Sequence, residues 1–499
     1  MERGIDPSPS LPDREQQEGD IVLQRGTERV GVSLIFAFLA LLVVEAGCLP
    51  LARPSPSLLP RQAASPLDAP EYPLRRGDYV TGSSRPDAEE LAWMGRFRVV
   101  HAGGLSDPLP TKAIAALRAA GVQTLLVYDW LPATYHYLDG ESDDPLTQWL
   151  YDNRDWATLN PAGPFPHCVE EGYSWCEDYY FDLGNPAVRE KRIAYLVRRV
   201  HALGYDGLFF DWGNSLFLDE PDYALLRAVY EERHPELPYA QAVALFYQAL
   251  RERGVVVQSN QGFDDAAVFL PSVDYDTSES AGTTDAMMGR RLVLVGQGRA
   301  AVPDTIYYPN SPDPRHGSLT DTLEVWQWMM GRVARFAAPD FHGIVHLNYA
   351  APFWEPLSEE GRLYRPRMPR NAIFFDEALA RLFDQAAYTE VPWDHRLERD
   401  EVYFYDLGEP LEPALQSVQG GYVRYYTQGF VLVGAWDAPA TLTLHHPSLP
   451  TAGVVYDAYR RMWIPVEMAH TLKLSLSPEP DPVTGRMAPL GRIVLYPAP

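Results

Sequence analysis

The sequence predicts a (β/α)8 barrel, or TIM barrel, followed by a small antiparallel β-sandwich. Three observations point to this fold class. From about residue 98 to residue 347, short apolar runs alternate with amphipathic helical patterns, which is typical of parallel strands joined by helices. One of these runs ends at a carboxylate, Asp211. After roughly residue 400 the hydrophobic period changes to two, the period of a strand with one buried face.

A doubly wound open sheet is the alternative arrangement of the same elements. It is disfavoured because the first predicted strand is followed only by the glycines of residues 102–104, and not by a Gly-x-Gly-x-x-Gly motif. A barrel typically takes about 250 residues, which fits within residues 76–395 once insertions are allowed. The predicted sandwich then occupies residues 396–499.

Residues 1–48 form a targeting segment rather than part of the fold. Arg25 and Arg29 precede an apolar run over residues 30–44, and the segment ends in Ala-Gly-Cys at Cys48. This pattern is typical of a signal peptide, and its end resembles a bacterial lipoprotein cleavage box. Lipidation at Cys48, ordinary secretion and a retained membrane anchor are the alternatives. All three place the body of the protein outside the cytoplasm, with membrane contact only through this segment.

Residues 49–75 are rich in proline, serine and alanine, a composition that predicts an extended tether. Two further cysteines, Cys168 and Cys176, are close enough in sequence to close a small disulfide loop in an oxidising compartment. Two free buried thiols are the alternative. Neither cysteine belongs to a metal-ligand pattern, so we expect no metal.

The predicted barrel strands are short runs bounded by turn residues. They cover residues 98–101, 123–129, 179–182, 208–211, 255–259, 275–279, a segment within 292–308, and 344–347. The clearest helix lies at 186–203, because Asn185 suits the N-cap, Pro186 the first helical position and Gly204 the left-handed position after the end. The sandwich strands are predicted at residues 422–426, 430–434, 441–444, 454–456, 472–476 and 493–496.

Asp211 is the leading candidate for a catalytic residue. It ends the buried run Leu208-Phe209-Phe210, where an unpaired carboxylate is costly, so it must be solvated in a cleft, paired or protonated. In a parallel barrel the C-terminal ends of the strands carry the active site. Asp206 lies in the turn before the same strand, on the opposite face, and is predicted to be structural.

Other polar and aromatic residues end predicted strands at the same face. Glu279, at the end of the sixth predicted strand, is the second catalytic candidate; Asp211 ends the fourth. The candidate substrate-binding residues are Tyr128, Asp129, Trp130, Asp182, Trp212, Asn260, Asn348, Tyr349 and Trp354. Two carboxylates among aromatic side chains suit glycoside hydrolysis, which requires no cofactor. Alternatively, Asp211 or Glu279 caps a helix or pairs with arginine, and Asp129 and Asp182 bond backbone amides.

The segment between Leu131 and Asp178 is long for a barrel loop and rich in aromatic residues. These are Tyr135, Tyr137, Trp149, Tyr151, Trp156, Phe165, Tyr173 and Trp175. Aromatic faces provide platforms for sugar rings, so we interpret the segment as a substrate-binding wall; a small core of its own is the alternative. His342 and His346 lack a third ligand and are predicted to pack or to form hydrogen bonds.

Residues 182–189, Asp-Leu-Gly-Asn-Pro-Ala-Val-Arg, and residues 204–211, Gly-Tyr-Asp-Gly-Leu-Phe-Phe-Asp, resemble the barrel of the endo-α-1,4-polygalactosaminidase family and related glycoside hydrolases. The resemblance covers mainly the middle of the barrel. It implies that an aspartate ending the fourth strand and a glutamate ending the sixth are catalytic, which correspond to Asp211 and Glu279. The sequence departs from that family at Trp212, in a long insertion between its second and third predicted strands, and in the added sandwich.

The sequence therefore predicts an extracytoplasmic glycoside hydrolase that cleaves O-glycosidic bonds of a poly- or oligosaccharide with two carboxylates. The alternatives are a non-catalytic, carbohydrate-binding surface protein on the same scaffold, and a lyase or isomerase that uses the same carboxylates. The net charge of −25 disfavours nucleic acid as a partner and suits a neutral or cationic glycan. The sandwich is expected to be structural or to help bind glycan.

Overall fold

The computed structural model describes the chain from Tyr72 to Pro497, with gaps. The described residues are Tyr72, 74–137, 144–162, 175–215, Leu218, 223–260, 262–279, 319–349, 369–390, 400–412, 415–479, Met487 and 489–497. The predicted targeting segment 1–48, most of the predicted tether, the strand predicted within 292–308 and Cys168 lie outside these residues. Within the described part of the chain, no helix is both long enough and apolar enough to span a membrane.

Among the described residues, ten strands precede the C-terminal sheets. They are β1 (Gly77–Gly82), β2 (Phe97–Gly104), β3 (Thr124–Trp130), β4 (Ala133–Tyr137), β5 (Trp175–Tyr180), β6 (Gly207–Asp211), β7 (Val256–Asn260), β8 (Tyr275–Glu279), β9 (Gly343–Tyr349) and β10 (Ala386–Glu390). All except β4 and β5 form one parallel sheet in the order β1-β2-β3-β6-β7-β8-β9-β10. Cα atoms of the first and last strands of this sheet lie within 8 Å of one another, so the sheet curls into a nearly closed barrel. The predicted barrel is confirmed.

Several predictions about individual barrel strands are wrong. Residues 344–347 lie in the seventh barrel strand, β9, which pairs directly with β8, and the eighth, β10, was not predicted. Two errors before β6 cancel in the strand count. Residues 179–182 do not form a barrel strand, because β5 pairs antiparallel with β4 outside the parallel sheet. The first barrel strand, Gly77–Gly82, was missed because its short Gly-Asp-Tyr-Val-Thr-Gly sequence lacks a continuous apolar run. Asp211 and Glu279 therefore do end the fourth and sixth barrel strands. The long insertion follows the third barrel strand, not the second.

The helices pack on the outside of the barrel or within its loops. They are α1 (Ala88–Met94), α2 (Thr111–Ala119), α3 (Pro145–Asp152), α4 (Arg154–Ala157), α5 (Pro186–Leu203), α6 (Ala224–Arg233), α7 (Tyr239–Arg251), α8 (Ala266–Phe269), α9 (Leu319–Phe336) and α10 (Pro369–Leu382). Helix α5 has the predicted termini: Asn185 accepts a hydrogen bond from the backbone N–H of Ala187, Pro186 occupies the first turn, and Gly204 follows with φ 84°.

The alternation of side chains along β6 separates the barrel interior from the helix layer. Phe209 points inward, with its ring centroid 4.5 Å from that of His101. Phe210 points outward, and its ring lies 5.3 Å from that of Tyr247 on α7. At the start of the strand, Asp206 accepts hydrogen bonds of 2.6 Å from Arg118 and from the backbone N–H of Leu125. Asp206 thus joins the barrel at the end away from Asp211, in agreement with its predicted structural role.

The C-terminal strands are antiparallel and form two packed sheets, as predicted. They are β11 (Gln416–Val418), β12 (Gly421–Tyr426), β13 (Gly429–Gly434), β14 (Ala440–His445), β15 (Val454–Asp457), β16 (Met462–Pro465), β17 (Thr471–Leu476) and β18 (Leu490–Leu495). The larger sheet has the order β11-β12-β13-β18-β15-β16, and β14 pairs with β17. Leu442, Leu472 and Leu474 of the small sheet are buried against Phe430 and Leu432 of the large one.

Candidate functional site

The Asp211 carboxylate lies at the C-terminal end of β6 and is held from three directions. Its Oδ2 accepts a hydrogen bond of 3.0 Å from the Tyr128 hydroxyl on β3. Its Oδ1 accepts one of 3.0 Å from Asn260 Nδ2 on β7 and one of 2.8 Å from the backbone N–H of Trp212. Hydrogen bonds donated to a carboxylate favour its ionised form. The structure therefore brings together four residues predicted for the site, with Asp211 at the centre.

Below this cluster, the barrel interior is lined by stacked rings. The Tyr128 ring lies 6.1 Å from Phe209 and 6.5 Å from His101, with interplanar angles of 37° and 14°. Burial lowers the pKa of His101 to about 3, so its imidazole is neutral at physiological pH. These contacts support the ring that carries the hydroxyl to Asp211. His101 was missed as a site residue because a histidine inside a predicted strand gives no sign of its facing a tyrosine on the neighbouring strand.

Trp212 adopts a backbone conformation that is unusual for a large side chain. Its φ is 50°, in the left-handed region. Non-glycine residues held there are enriched at functional sites, where the surrounding structure maintains the strain. The Trp212 backbone N–H points at the Asp211 carboxylate, and a half-buried indole follows the predicted catalytic residue.

Glu279 is the last residue of β8, at the same end of the barrel as Asp211, and its backbone pairs in register with Leu347. Two residues earlier on this strand, the Thr277 hydroxyl accepts a hydrogen bond of 2.6 Å from Gln258. Asn348 and Tyr349 end β9. For Glu279, Asn348 and Tyr349 the structure describes the backbone and not the side chains, and Trp354 lies outside the described residues.

Three of the predicted binding residues make their described contacts elsewhere. Asp129 alternates with Tyr128 along β3 and faces α5, where its Oδ2 lies 2.9 Å from the Arg192 guanidinium. Burial raises the pKa of Asp129, and the charge of Arg192 opposes that rise. Trp130 is buried, with its ring edge-on to Tyr180 at 6.0 Å.

Asp182, the third of these residues, follows the β4–β5 hairpin and does not end a barrel strand. Its carboxylate is 1% exposed and pairs with His234 at 2.7 Å and Arg233 at 3.2 Å. Asp129 and Asp182 thus pair with side chains of arginine or histidine, whereas the alternative expected from the sequence was bonds to backbone amides. In both cases the partner is a side chain of the helix layer, which sequence spacing does not reveal.

The aromatic residues of the long segment partly pack on one another. The rings of Trp149 and Trp156 are perpendicular, with centroids 5.5 Å apart, and that of Tyr151 lies edge-on to Tyr179 at 5.9 Å. Trp156 is nevertheless 42% exposed and Tyr151 38% exposed. The described part of this segment therefore combines a small core with exposed ring surface. Phe165 and Tyr173, and the side chains of Tyr135, Tyr137, Trp175 and Cys176, lie outside the description.

His346 of β9 and His342, which precedes that strand, pack against aromatic rings, as predicted. His346 is fully buried with its ring 3.8 Å from that of Trp326, and burial lowers its pKa to about 3. His342 stacks on Tyr275 at 5.0 Å. Among the described residues, no group of three or more histidine, cysteine, aspartate or glutamate side chains is arranged to hold a metal ion.

The fold and these contacts define the class of the protein: a (β/α)8 barrel with a polar cluster, centred on Asp211, at the C-terminal ends of its strands. No protein-family model and no curated protein matches the sequence.

The solved structures that match this chain include glycoside hydrolases. The glycoside hydrolase domain of PelA from Pseudomonas aeruginosa is 17% identical, with a TM-score of 0.38, and the match covers 64% of this chain and 97% of that domain. For the maltogenic α-amylase AmyB from Thermotoga neapolitana the identity is 11%, the TM-score 0.43 and the coverage 82% and 92%. Aspergillus fumigatus Ega3, solved in complex with galactosamine, is 11% identical with a TM-score of 0.35, and the match covers 65% of this chain and 95% of that chain. Because identities and TM-scores are this low, function is inferred below from the residues of this chain.

Proposed function

We propose that this protein is an extracytoplasmic glycoside hydrolase that cleaves O-glycosidic bonds of a poly- or oligosaccharide, with Asp211 and Glu279 as its two carboxylates. The observation that carries the proposal is the environment of Asp211. The carboxylate stands at the end of a barrel strand and receives hydrogen bonds from Tyr128, Asn260 and the Trp212 backbone. Donors arranged in this way hold a charged carboxylate in one orientation, as an attacking or water-activating group requires.

The role proposed for Asp211 follows from this environment, and the role proposed for Glu279 from its place at the end of the sixth barrel strand. Asp211, ionised, attacks the anomeric carbon or takes a proton from the water that does so. Glu279 donates a proton to the glycosidic oxygen as the bond to the leaving sugar breaks. A separation of about 5 Å between the carboxyl groups of Asp211 and Glu279 would correspond to retention of configuration at the anomeric carbon. A separation of about 6.5 to 9.5 Å would correspond to inversion.

Substrate binding is assigned to groups next to Asp211 and to the exposed rings of the long insertion. The Trp212 indole suits stacking on a sugar face. The Asn260 side chain, 5% exposed, orients Asp211. The net charge of −25 suits a neutral or cationic glycan, and the targeting pattern of residues 1–48 supports action outside the cytoplasm.

The test is to incubate the body of the protein, residues 68–499, with a panel of neutral and cationic glycans and to measure new reducing ends. We expect release from at least one glycan, and a loss of at least about a hundredfold in Asp211→Asn and in Glu279→Gln. Asp206→Asn is the matched control, because Asp206 lies at the opposite end of the same strand as Asp211 and should leave hydrolysis intact in folded protein.

Other outcomes discriminate the alternatives. Binding to a glycan without release would support the non-catalytic carbohydrate-binding protein. An unsaturated or rearranged product would support a lyase or an isomerase. Hydrolysis that persists in folded Asp211→Asn would overturn the assignment of Asp211.

A further inference from the structure

The turn after β6, residues 211–214, has an unusual backbone conformation and leaves no room for a side chain at one position. Trp212 has the positive φ described above. At Gly213 a Cβ atom would stand 2.5 Å from the backbone oxygen of Phe210 and 2.8 Å from the backbone nitrogen of Asn260, closer than real side chains approach. Only glycine therefore fits at position 213 on this path of the chain.

The path of the turn determines one of the hydrogen bonds to the Asp211 carboxylate. The donor is the backbone N–H of Trp212, at 2.8 Å, and its direction is that of the peptide plane between Asp211 and Trp212. A shift of the turn that rotated this plane would move the donor away from Oδ1. Contacts that hold the turn therefore also hold the carboxylate.

Two side chains outside the cluster hold the turn. The Tyr247 hydroxyl on α7 donates a hydrogen bond of 2.6 Å to the Gly213 carbonyl. Asn214 donates one of 2.8 Å to the backbone carbonyl of Asn260. Tyr247 is fully buried, with its ring 5.3 Å from Phe210 and 6.1 Å from Phe269, so its hydroxyl has a fixed position.

The chemistry of Tyr247 suits a permanent donor rather than a reacting group. Burial raises the pKa of its hydroxyl well above the ordinary value, so the group stays protonated over the physiological range. The ring lies on the helix side of the strand, packed with Phe210, whereas Phe209 faces the barrel interior. Its described contacts thus connect the helix layer to the backbone of the turn.

We infer that Tyr247 is a positioning residue of the active site: by holding the Gly213 carbonyl, it maintains the strained turn and thereby orients Trp212 and the Asp211 carboxylate. It acts through the backbone and does not touch the substrate. The consequence for catalysis rests on the proposed function, whereas the effect on the turn does not.

A first experiment tests the turn independently of activity, by amide hydrogen exchange in Tyr247→Phe. We expect the Trp212 amide to exchange about three- to tenfold faster than in the wild type, because a neutral hydrogen bond that resisted local opening is lost. Tyr230→Phe is the matched control: its buried hydroxyl also donates to a backbone carbonyl, that of Leu237, at 2.9 Å. Exchange at Trp212 that is unchanged in Tyr247→Phe, or equally fast in both variants, would overturn the inference.

A second experiment measures kcat and KM separately on the glycan that the wild type hydrolyses. We expect Tyr247→Phe to lower kcat about three- to tenfold with KM changed less than about twofold, and Tyr230→Phe to change neither. Equal loss of kcat in both variants, or a rise in KM alone, contradicts a positioning role. If the wild type hydrolyses nothing, the proposed function fails, and hydrogen exchange still decides whether Tyr247 holds the turn.

Discussion

Asp211 differs from the other carboxylates near the strand ends in what surrounds it. Asp129 and Asp182 face arginine or histidine side chains, which neutralise them. The donors described for Asp211 are instead a hydroxyl, an amide and a backbone N–H. These described donors are dipoles, which stabilise a negative charge on the carboxylate and hold it in place.

The contribution of the Tyr128 hydroxyl can be measured by removing it. Tyr128→Phe deletes the donor to Asp211 Oδ2 and leaves the ring stack in place, so we expect kcat/KM to fall about ten- to hundredfold. The control is Tyr195→Phe, which removes a hydroxyl donated to the carboxylate of Asp144 on the outside of the barrel. Steady-state kinetics should show this loss of kcat/KM in Tyr128→Phe and no such loss in Tyr195→Phe. A loss below about twofold in Tyr128→Phe would show that this donor does not orient Asp211 in the reaction.

The close packing at Gly213 gives a prediction about stability. Gly213→Ala forces a Cβ against the backbone of β6 and β7 and should lower the free energy of unfolding by about 1 to 3 kcal/mol. Gly331→Ala is the opposite case, because Gly331 is exposed within α9 and an added methyl group would meet no neighbouring heavy atom within 4 Å. That substitution should raise the free energy of unfolding by about 0.5 to 1 kcal/mol. Urea denaturation of both variants tests the sign of each change.

At the scale of elements, α10 joins the barrel to the C-terminal sheet. On one side Asp376 accepts a hydrogen bond of 3.0 Å from Thr389 of β10. On the other side, Asn371 donates one of 2.9 Å to the carbonyl of Pro489, and Arg424 of β12 donates one of 3.0 Å to that of Leu382. A helix that is buried on both sides carries polar groups where water cannot reach, and these groups affect the dependence of stability on pH.

Asp376 gives a pH prediction with a definite sign. It is fully buried, and burial raises its pKa well above the ordinary value, while the Thr389 hydrogen bond opposes the rise. The folded state therefore binds more protons than the unfolded state above about pH 4, where unfolded aspartate ionises. Its contribution to stability is fully present below that pH and is lost as pH rises toward the raised pKa.

Asp376→Asn removes this titration. We expect the free energy of unfolding of the wild type, relative to that of the variant, to fall as pH rises above about 4. The slope should be at most about 1.4 kcal/mol per pH unit. Urea denaturation of both proteins at several pH values measures this difference. Asp384→Asn, two residues beyond the end of the same helix and exposed, should show no such trend. A difference between wild type and Asp376→Asn that is constant with pH would contradict the prediction.

At the scale of the whole molecule, the C-terminal sheets behave as part of the barrel's structure rather than as an attached module. Arg370 binds the backbone carbonyls of Ala458 and Tyr459, and Arg381 donates a hydrogen bond of 2.8 Å to the carbonyl of Tyr405. Near the start of the chain's body, Tyr72 stacks on Tyr456 of β15 at 4.7 Å. Both ends of the barrel segment are thus bound to residues that follow it in sequence.

This arrangement predicts cooperative unfolding. Residues 68–499 should unfold in a single calorimetric transition, and residues 68–399 alone should not form a stable soluble protein, because the buried face of α10 would be exposed. Calorimetry of the longer chain and expression of the shorter one provide the measurements. Two separate transitions, or a folded and active shorter chain, would show that the sheets are an independent domain.

Much of the fold follows from local sequence, and so does the central residue of the candidate site. The alternation of apolar runs and helical patterns predicts the barrel, Asn185 and Gly204 mark the termini of α5, and an aspartate that ends an apolar run marks Asp211. Each of these signals depends on residues within a few positions of one another. Hydrophobic periodicity and helix capping act at that range, so the sequence alone is sufficient for them.

Only the tertiary structure decides which side chains surround Asp211. Tyr128 is 83 residues from Asp211, and Asn260 is 49 residues away. The same holds for the contact of Tyr247 with Gly213 and for the pairing of Asp129 with Arg192. The sequence also led to the wrong prediction that residues 179–182 form a barrel strand. A short apolar run has the same residue pattern in an antiparallel pair of strands as in a parallel sheet. Such contacts depend on strand order and on the face that each residue presents, and both are set when the barrel closes rather than by neighbouring residues.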